Sequence, residues 1–268
     1  VFIAALIFAA VGTPAVRRVA FSLGVIATPR SDRAHKEPTA LLGGVAIYGG
    51  AISALLIGGL VASLFLGGWR NLDELAAILA GATIMGIVGL WDDRVRLRPL
   101  AKLLPQFVAV SLPLLAGVSV RLPIPQVFNI VLTFAWVLYV TNAINFSDNM
   151  DGVAAGISAV AAGFFTLIAA MNGQYLVSSL AAATMGASLG FLRYNFPLPR
   201  ATVFMGDAGA LFLGYMLAIL GIKLRFPDNV NFVTWMVPVL VLGIPLFDVT
   251  MVFVSRFRRG GSPLQGGV

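Results

Sequence analysis

Long apolar stretches recur through the whole 268-residue chain, and this pattern restricts the possible folds more than any other feature. A helix needs about 20 mostly apolar residues to cross the hydrocarbon core of a bilayer. Since 59% of the residues are hydrophobic and 11% are charged, the chain is predicted to be an all-α, polytopic transmembrane helical bundle. The predicted spans are 41–66, 74–91, 100–117, 126–144, 153–171, 176–192, 208–222 and 232–254.

An apolar fragment from Val1 to about Gly12 precedes these spans and brings the expected number to about nine. So short a stretch cannot cross about 30 Å of hydrocarbon, and the chain opens on Val, so we expect missing residues upstream. A signal peptide is less favoured because no basic segment precedes the apolar run. No loop is long enough to fold alone. Residues 1–268 are therefore predicted to form one integral membrane domain, truncated at both ends, of a protein with ten or more spans.

Basic residues indicate the orientation, because Lys and Arg are enriched in cytoplasmic loops. When the N-terminal fragment counts as the first span, alternate loops carry most of the 18 Lys and Arg residues. That side is predicted to face the cytoplasm. The chain is predicted to cross the plasma (inner) membrane several times. The net charge of +7 is then mostly an insertion signal, with anionic lipid headgroups as neighbours. Nucleic-acid binding is excluded because no loop is large enough to form a basic docking face.

Most of the 11 acidic residues are predicted on the same face, which the orientation rule does not explain. They are Asp32, Glu37, Asp92, Asp93, Asp148, Asp151, Asp207 and Asp248. An acid within a membrane segment costs about 2.5–3.5 kcal/mol on insertion scales, so each is a functional candidate. Acids and bases on one face suit a divalent metal that holds an anionic substrate, with basic side chains around its phosphate oxygens.

Asp92 and Asp93 are adjacent carboxylates at the end of an apolar run. Their mutual repulsion favours a nearby cation, and Mg²⁺ binds through one or two carboxylates together with water and substrate phosphate. The alternative is a pair of interfacial acids that form ion pairs with Arg94 and Arg96.

A second polar cluster, formed by Asn142, Asn145, Asp148 and Asp151, advances in three-residue steps into Gly152. Such steps spiral around an α-helix, whereas a 3₁₀ end would align them. Capping of the next span explains either acid alone but leaves the two Asn residues unexplained. The cluster is therefore predicted to be functional.

The remaining candidates each have a simpler structural explanation. Asp207 opens a span and could be only an N-cap. Asp248 lies inside an apolar run, where an acid needs a partner, and Arg256 is the candidate. His35 and Lys36 could be solvated residues of the first cytoplasmic loop. The Gly43-Gly44 and Gly49-Gly50 pairs predict close helix packing.

Five collinear motifs resemble those of the polyprenyl-phosphate N-acetylhexosamine-1-phosphate transferases, over nearly the whole chain. This family includes undecaprenyl-phosphate GlcNAc-1-phosphate transferases, which the first loop resembles more, and phospho-N-acetylmuramoyl-pentapeptide transferases. The motifs are Arg33-Ala-His-Lys-Glu-Pro-Thr-Ala-Leu-Leu-Gly-Gly44, Asp92-Asp93, Asn142-x-x-Asn-x-x-Asp-x-x-Asp-Gly152, Phe204-Met-Gly-Asp207 and Pro245-Leu-Phe-Asp248.

The resemblance implies transfer of a sugar-1-phosphate, with GlcNAc-1-phosphate favoured, from a UDP-sugar to undecaprenyl phosphate, with release of UMP. It implies the first membrane step of cell-envelope glycan synthesis, such as that of lipopolysaccharide or teichoic acid. Mg²⁺, with Mn²⁺ as the alternative, would be held by Asp207 with Asp92 or Asp93, and these three are the expected catalytic residues. The other expected substrate contacts are those of His35, Lys36, Asn142, Asn145, Asp148, Asp151 and Asp248.

The chain departs from the family pattern at its end, because a His-containing cytoplasmic loop and one more span are expected after Ser255. The chain stops at Val268, and we expect this to be truncation. Three alternatives remain open: a UDP-MurNAc-pentapeptide donor, a cation-coupled secondary transporter with acids along its pathway, and a scaffold with structural ion pairs. A homodimer is also left open.

Overall fold

The computed structural model describes residues 1–27, 38–65, 72–95, 97–196, 200–226 and 231–259. Helices dominate this part of the chain, as the all-α prediction requires. The ten helices are α1 (Phe2–Ser22), α2 (Gly43–Phe65), α3 (Leu72–Val95), α4 (Pro99–Leu115), α5 (Gln126–Ser147), α6 (Val153–Met171), α7 (Tyr175–Asn195), α8 (Gly206–Lys223), α9 (Asn231–Val241) and α10 (Gly243–Arg258).

Seven of the described helices are long and apolar enough to cross a membrane, or eight if the bent pair α9 and α10 forms one span. The polytopic bundle is confirmed, with seven or eight candidate spans among the described helices where about nine spans were expected. The difference lies in α4, which has only 17 residues and contains Pro105 and Pro113. It is shorter than the roughly 20 residues of a typical span.

The N-terminal fragment is longer than its apolar composition predicts, because α1 runs for 21 residues rather than ending near Gly12. Its buried face continues through Thr13 to Ala20, while Arg17 and Arg18 are exposed. Basic side chains at a helix end can extend their charge to the membrane interface. The prediction that this segment is too short to cross was therefore wrong.

The predicted span 232–254 is also different, because α9 and α10 meet at Leu242 with a bend of 72°. Pro245 lacks a backbone N–H and favours the first turn of a new helix, so the sequence restarts a helix at Gly243. Because of the bend, α10, which carries Asp248, runs in a different direction from α9.

Helix α8 lies at the centre of the bundle, and nearly all its side chains from Ala208 to Ile222 are buried. It packs mainly against α3 and α5, and also against α2, α6 and α7. A helix that is apolar on every side is stable only when protein surrounds it or when it faces lipid throughout. The central position brings the N-terminus of α8, with Asp207, to the middle of one end of the bundle.

Two short strands, β1 (Ile26–Ala27) and β2 (Thr39–Ala40), pair antiparallel beside this end. Ala40 also forms a parallel bridge with Val203, and the Phe204 N–H donates to the Ala40 carbonyl at 2.8 Å. These bonds fix the segment just before α8 against the ends of the first loop.

Candidate active site

Four helix ends meet at one end of the bundle and bring together residues that are far apart in sequence. Asp92 lies in the last turn of α3, and Lys102 lies in the first turns of α4. Asn145 is near the end of α5, and Asp207 is in the first turn of α8. Three of these residues, Asp92, Asn145 and Asp207, were predicted as site residues.

The Lys102 ammonium lies between two carboxylates. Its Nζ donates to Oδ2 of Asp207 at 2.6 Å and also forms an ion pair with Oδ2 of Asp92. The second oxygens of the two acids have other partners. Asn145 Nδ2 donates to Oδ1 of Asp207 at 3.0 Å, and the Leu97 backbone N–H donates to Oδ1 of Asp92. The two Oδ2 atoms therefore share one cation while their partners fix the carboxylate planes.

Asp93 has a different environment from its neighbour Asp92. Its two oxygens accept hydrogen bonds from the backbone N–H groups of Asp207, at 2.8 Å, and Ala208, at 3.2 Å. These are among the N–H groups that a helix N-terminus leaves without intrahelical partners. Asp93 therefore caps α8 from another helix, and the capping role considered as the alternative for Asp207 belongs to Asp93.

Gly206 makes this close approach possible. It adopts φ of +71°, and a Cβ atom there would lie 2.6 Å from an Asp93 carboxylate oxygen and 2.6 Å from the Leu41 carbonyl. Only glycine combines this backbone conformation with so little space. The Gly in the Phe204-Met-Gly-Asp207 motif thus permits the Asp93 cap.

Asp148 follows α5 and is partly buried near the site. Burial raises the pKa of its carboxyl well above the usual range, and the nearby carboxylates of Asp207, Asp93 and Asp151 raise it further. Such a group favours a cation or a hydrogen-bond donor in its vicinity. Its role in substrate binding stays a prediction.

Asp151 and Asn195 hold the loop that leads into α8. Asp151 Oδ2 accepts a hydrogen bond from the Ala201 N–H at 3.2 Å. Asn195 accepts from the Gly152 N–H and donates to the Val203 carbonyl, both at 3.0 Å. Asn195 was missed by the sequence analysis, although it is a polar residue at the end of an apolar span, as the chosen candidates are.

Asn142 forms a bridge to another residue that was missed, the buried Gln106 of α4. Asn142 Nδ2 donates to Gln106 Oε1 at 3.0 Å and to the Leu138 carbonyl at 2.7 Å. The spiral expected for an α-helix is present, because α5 stays α-helical to Ser147 and no 3₁₀ end aligns the cluster. Asn142 therefore faces α4, whereas Asn145 faces α8.

Lys102 and Gln106 could have been found by their position. Both are polar residues inside the predicted span 100–117, one helical turn apart. A lysine within an apolar segment is a functional candidate. The orientation rule treats Lys102 as one of the basic loop residues, so this signal was missed.

Other predicted residues lie apart from the site or outside the described chain. His35 and Lys36, with their acidic neighbours Asp32 and Glu37, lie outside the described residues. Asp248 lies on α10 with its side chain on the outside of the bundle. The Arg256 guanidinium lies over the Phe146 ring, 5.9 Å from its centroid. The pairing of Asp248 with Arg256 stays a prediction.

The residues present fit a magnesium ion of the type predicted. Within the described ranges, no three or more His, Cys, Asp or Glu side chains form a protein-only metal site. Mg²⁺ often binds through only one or two carboxylates and completes its shell with water and phosphate oxygens. The Oδ2 atoms of Asp92 and Asp207 already share one cationic group, whereas both oxygens of Asp93 are bonded to backbone N–H groups. The donor chemistry therefore favours Asp92 with Asp207 as the metal ligands.

Comparison with known proteins adds independent information. A protein-family model described as glycosyl transferase family 4 matches residues 75–225. A probable undecaprenyl-phosphate N-acetylglucosaminyl 1-phosphate transferase of Bacillus subtilis is 31% identical over 95% of this chain and 70% of its own length. A decaprenyl-phosphate N-acetylglucosaminephosphotransferase of Mycolicibacterium smegmatis is 34% identical over 93% of this chain and 68% of its own length.

A phospho-N-acetylmuramoyl-pentapeptide-transferase of Lactiplantibacillus plantarum is 33% identical over a shorter region, 68% of this chain and 62% of the relative. A polytopic helical bundle with acids and a lysine gathered at one end, together with these matches, defines a membrane-embedded transferase enzyme. The chain belongs to glycosyl transferase family 4, and the resemblance to the polyprenyl-phosphate N-acetylhexosamine-1-phosphate transferases is confirmed.

Proposed function

We propose that the chain transfers GlcNAc-1-phosphate from UDP-GlcNAc to undecaprenyl phosphate at the cytoplasmic face of the plasma membrane. The observation that carries the proposal is the meeting of Asp92, Lys102, Asn145 and Asp207 at one end of the bundle. Arg94 at the end of α3 and Arg98 at the start of α4, on the side that the orientation rule assigns to the cytoplasm, adjoin the same end. The relatives that match over 93% or more of the chain are named as GlcNAc-1-phosphate transferases.

The proposed reaction is a displacement at phosphorus. A phosphate oxygen of undecaprenyl phosphate forms a bond to the sugar-linked phosphorus, and the bond from that phosphorus to the bridging oxygen of UMP breaks. UMP leaves with the bonding electron pair, and the lipid-diphosphate-sugar remains. A phosphate monoester has its second pKa near 6, so at pH 7 the attacking group is largely ionised and has little proton to lose.

The chain's own residues would therefore act mainly by positioning and charge. Phosphoryl transfer depends on these two effects more than on covalent chemistry by the protein. Asp92 and Asp207 would hold Mg²⁺. The bound ion would neutralise part of the negative charge of the diphosphate. Asn145 orients Asp207, Asp93 fixes the α8 N-terminus, and the Lys102 ammonium is close enough to contribute positive charge.

Two of the remaining predicted contacts, Asp148 and Asp151, fit the same assignment. Asp148 and Asp151 line the segment after α5, next to the end of α8. Lys36 and His35 stay predictions as substrate contacts, and the described ends of their segment pair as β1 and β2 beside Val203. Asp248 on α10 stays a predicted substrate residue.

One alternative donor is favoured by a specific observation. The Lactiplantibacillus plantarum relative named as a phospho-N-acetylmuramoyl-pentapeptide-transferase is 33% identical, although over a shorter region. UDP-MurNAc-pentapeptide is therefore the second donor to test. A transporter is disfavoured because Asp92, Asp148 and Asp207 gather at one end of the bundle, whereas transporter sites lie near the bilayer midplane.

The test uses membranes that carry the full-length protein, undecaprenyl phosphate, Mg²⁺ and radiolabelled UDP-GlcNAc. We expect label in the butanol phase with an equal amount of UMP, and loss of both when a chelator is added. Label only from UDP-MurNAc-pentapeptide would move the protein to the peptidoglycan branch. Absence of label from every UDP-sugar, with the protein folded in the membrane, would overturn the assignment.

A further inference from the structure

The Lys102 ammonium occupies the position between two carboxylates that a bound divalent cation would need. We infer that Lys102 is an internal counter-cation of the Asp92–Asp207 pair and that it exchanges with the metal ion. This inference rests on the proposed metal site. It adds that the protein holds its acid pair together without metal, and that metal binding releases the lysine side chain.

The first support is the sharing of oxygen atoms. Lys102 Nζ is 2.6 Å from Oδ2 of Asp207 and pairs with Oδ2 of Asp92. Asn145 and the Leu97 N–H donate to the opposite oxygens, so a divalent ion held by the two carboxylates would compete with the lysine for the Oδ2 atoms. An ammonium and a dication cannot share one pair of oxygens without strong repulsion.

The second support is the preformed shape of the acid pair. Asp92 is only 6% exposed, and its carboxylate orientation is set by a backbone N–H. Asp207 is oriented by an amide and by its place at a capped helix end. Each carboxylate thus has an orienting partner in addition to the lysine. The carboxylates can therefore keep their positions when Lys102 leaves, which is the requirement for a simple exchange of cations.

The third support is the side chain itself. A lysine ammonium is a compact charge on a flexible four-carbon stem, so it can leave without moving the helix that carries it. Its side chain is 21% exposed, which gives it a route to water. Once released, the ammonium adds a positive charge beside the site, where it can pair with the phosphate oxygens of a bound substrate. Metal and anionic substrate are then expected to bind cooperatively.

The first test measures metal binding by thermal unfolding of the purified full-length protein, stripped with a chelator and without substrate. Lys102→Met should lower the unfolding temperature without metal, because two close acids lose their counter-charge. It should also reduce the half-saturating Mg²⁺ concentration by about tenfold, since the ion no longer competes with an ammonium. An unchanged or higher half-saturating concentration would overturn the exchange.

Lys223→Met is the matched control for this test. Lys223 also pairs with a carboxylate, that of Glu74, at the opposite end of the bundle. Loss of that ion pair should change the unfolding temperature without changing the half-saturating Mg²⁺ concentration. An equal shift in both variants would show a general charge effect and contradict a role specific to Lys102.

The second test needs only the wild-type protein and so remains valid if Lys102→Met does not fold. An acylating N-hydroxysuccinimide ester modifies lysines in proportion to their free amine, and mass spectrometry reports each site. Mg²⁺ should raise modification of Lys102 several-fold relative to Lys223. Modification that is unchanged or lower with Mg²⁺ would contradict release of the ammonium.

Asp207→Asn separates failure of the exchange from failure of the proposed metal site. Mg²⁺ should stabilise the wild-type protein and have little effect on this variant. If Mg²⁺ acts through Asp207 but Lys102→Met binds it no more tightly, only the exchange is wrong. If Mg²⁺ stabilises neither the wild-type protein nor Lys102→Met, the metal assignment fails and the exchange fails with it.

Discussion

The Asp93 carboxylate accepts a hydrogen bond from the backbone N–H of Asp207 at 2.8 Å, so a side chain of α3 holds the residue that opens α8. The second oxygen of Asp93 accepts from the Ala208 N–H at 3.2 Å. Adjacent acids thus have separate tasks: Asp93 fixes the helix that carries Asp207, while Asp92 shares a cation with it.

This division predicts that Asp93→Ala is mainly a stability variant. It leaves two helix N–H groups without their carboxylate, and loss of a cap costs about 1 kcal/mol, up to about 2. We expect a lower unfolding temperature of the purified protein without metal or substrate. Asp73→Ala, at an exposed acid in the first turn of the same helix, is the control. A wild-type unfolding temperature for Asp93→Ala would show that the cap contributes nothing.

Asp207→Asn is predicted to be mainly an activity variant. The neutral amide can still accept a hydrogen bond, but it removes one charge from the proposed metal site. We expect transfer of labelled sugar phosphate to fall by about 10²–10³-fold, the range for loss of one electrostatic stabiliser. The amount of folded protein in the membrane should stay close to that of wild type. A large loss of folded protein would instead indicate a structural role for Asp207.

The sequence predicted the Asp92, Asn145 and Asp207 cluster because polar groups at membrane edges are costly unless they have a use. The sequence could not show that Asp92 and Asp93 have different roles. Adjacent residues on a helix point about 100° apart, and their roles depend on which neighbour faces each one. That information comes from the packing of α8 against α3.

Helix limits show the same dependence on packing. The apolar run that opens the chain gives out near Gly12, but α1 continues to Ser22 because Thr13 and Ala20 are buried against other helices. The 72° bend before Gly243 was missed although Pro245 signals a helix start. Apolar composition identifies a membrane segment, whereas local chemistry and packing set where its helices begin and end.

Asp148 gives a prediction about pH. Its pKa is raised in the folded protein, so folding disfavours the ionised form. The free energy of unfolding should therefore fall as the pH rises above about 3.9, the usual value for an unfolded Asp. Asp148→Asn removes this effect. The variant should unfold at a higher temperature than the wild-type protein at pH 8 in the absence of metal, with a smaller difference at pH 5.

The measurement is the difference in unfolding temperature between variant and wild type at the two pH values. Asp73→Asn supplies the baseline for loss of an exposed acid. A stabilisation by Asp148→Asn that is larger at pH 5 than at pH 8 would reverse the sign and contradict the raised pKa. If Asp148 also binds substrate, the more stable variant should transfer less sugar phosphate.

The Gln106–Asn142 hydrogen bond gives a prediction about positioning. It joins α4 to α5 one turn from Lys102 and one turn from Asn145, at 3.0 Å. Gln106 Nε2 is buried and has no hydrogen-bond partner in the described part of the chain, so Gln106→Leu should cost little stability, about 0.6 kcal/mol. We expect a lower kcat because this hydrogen bond would no longer hold α4 and α5 in position beside the site.

A double-mutant cycle tests this bridge. Gln106→Leu and Asn142→Leu should each reduce turnover, and the double variant should lose little more than the more impaired single variant. Additive losses would show that the two residues act independently. In that case Asn142 would return to its predicted role as a direct substrate contact.

Two glycines of α2 provide a matched test of close packing. A Cβ atom at Gly44 would lie 2.1 Å from the Gly209 backbone nitrogen of α8, whereas nothing lies within 4 Å of one at Gly49. Gly44→Ala must therefore push α2 and α8 apart, near the turn that carries Asp207. We expect a lower unfolding temperature and reduced transfer. Gly49→Ala should be neutral or stabilise by about 0.5–1 kcal/mol, because alanine favours the helix. Equal effects of the two substitutions would mean that helix propensity, rather than the contact of α2 with α8, decides stability here.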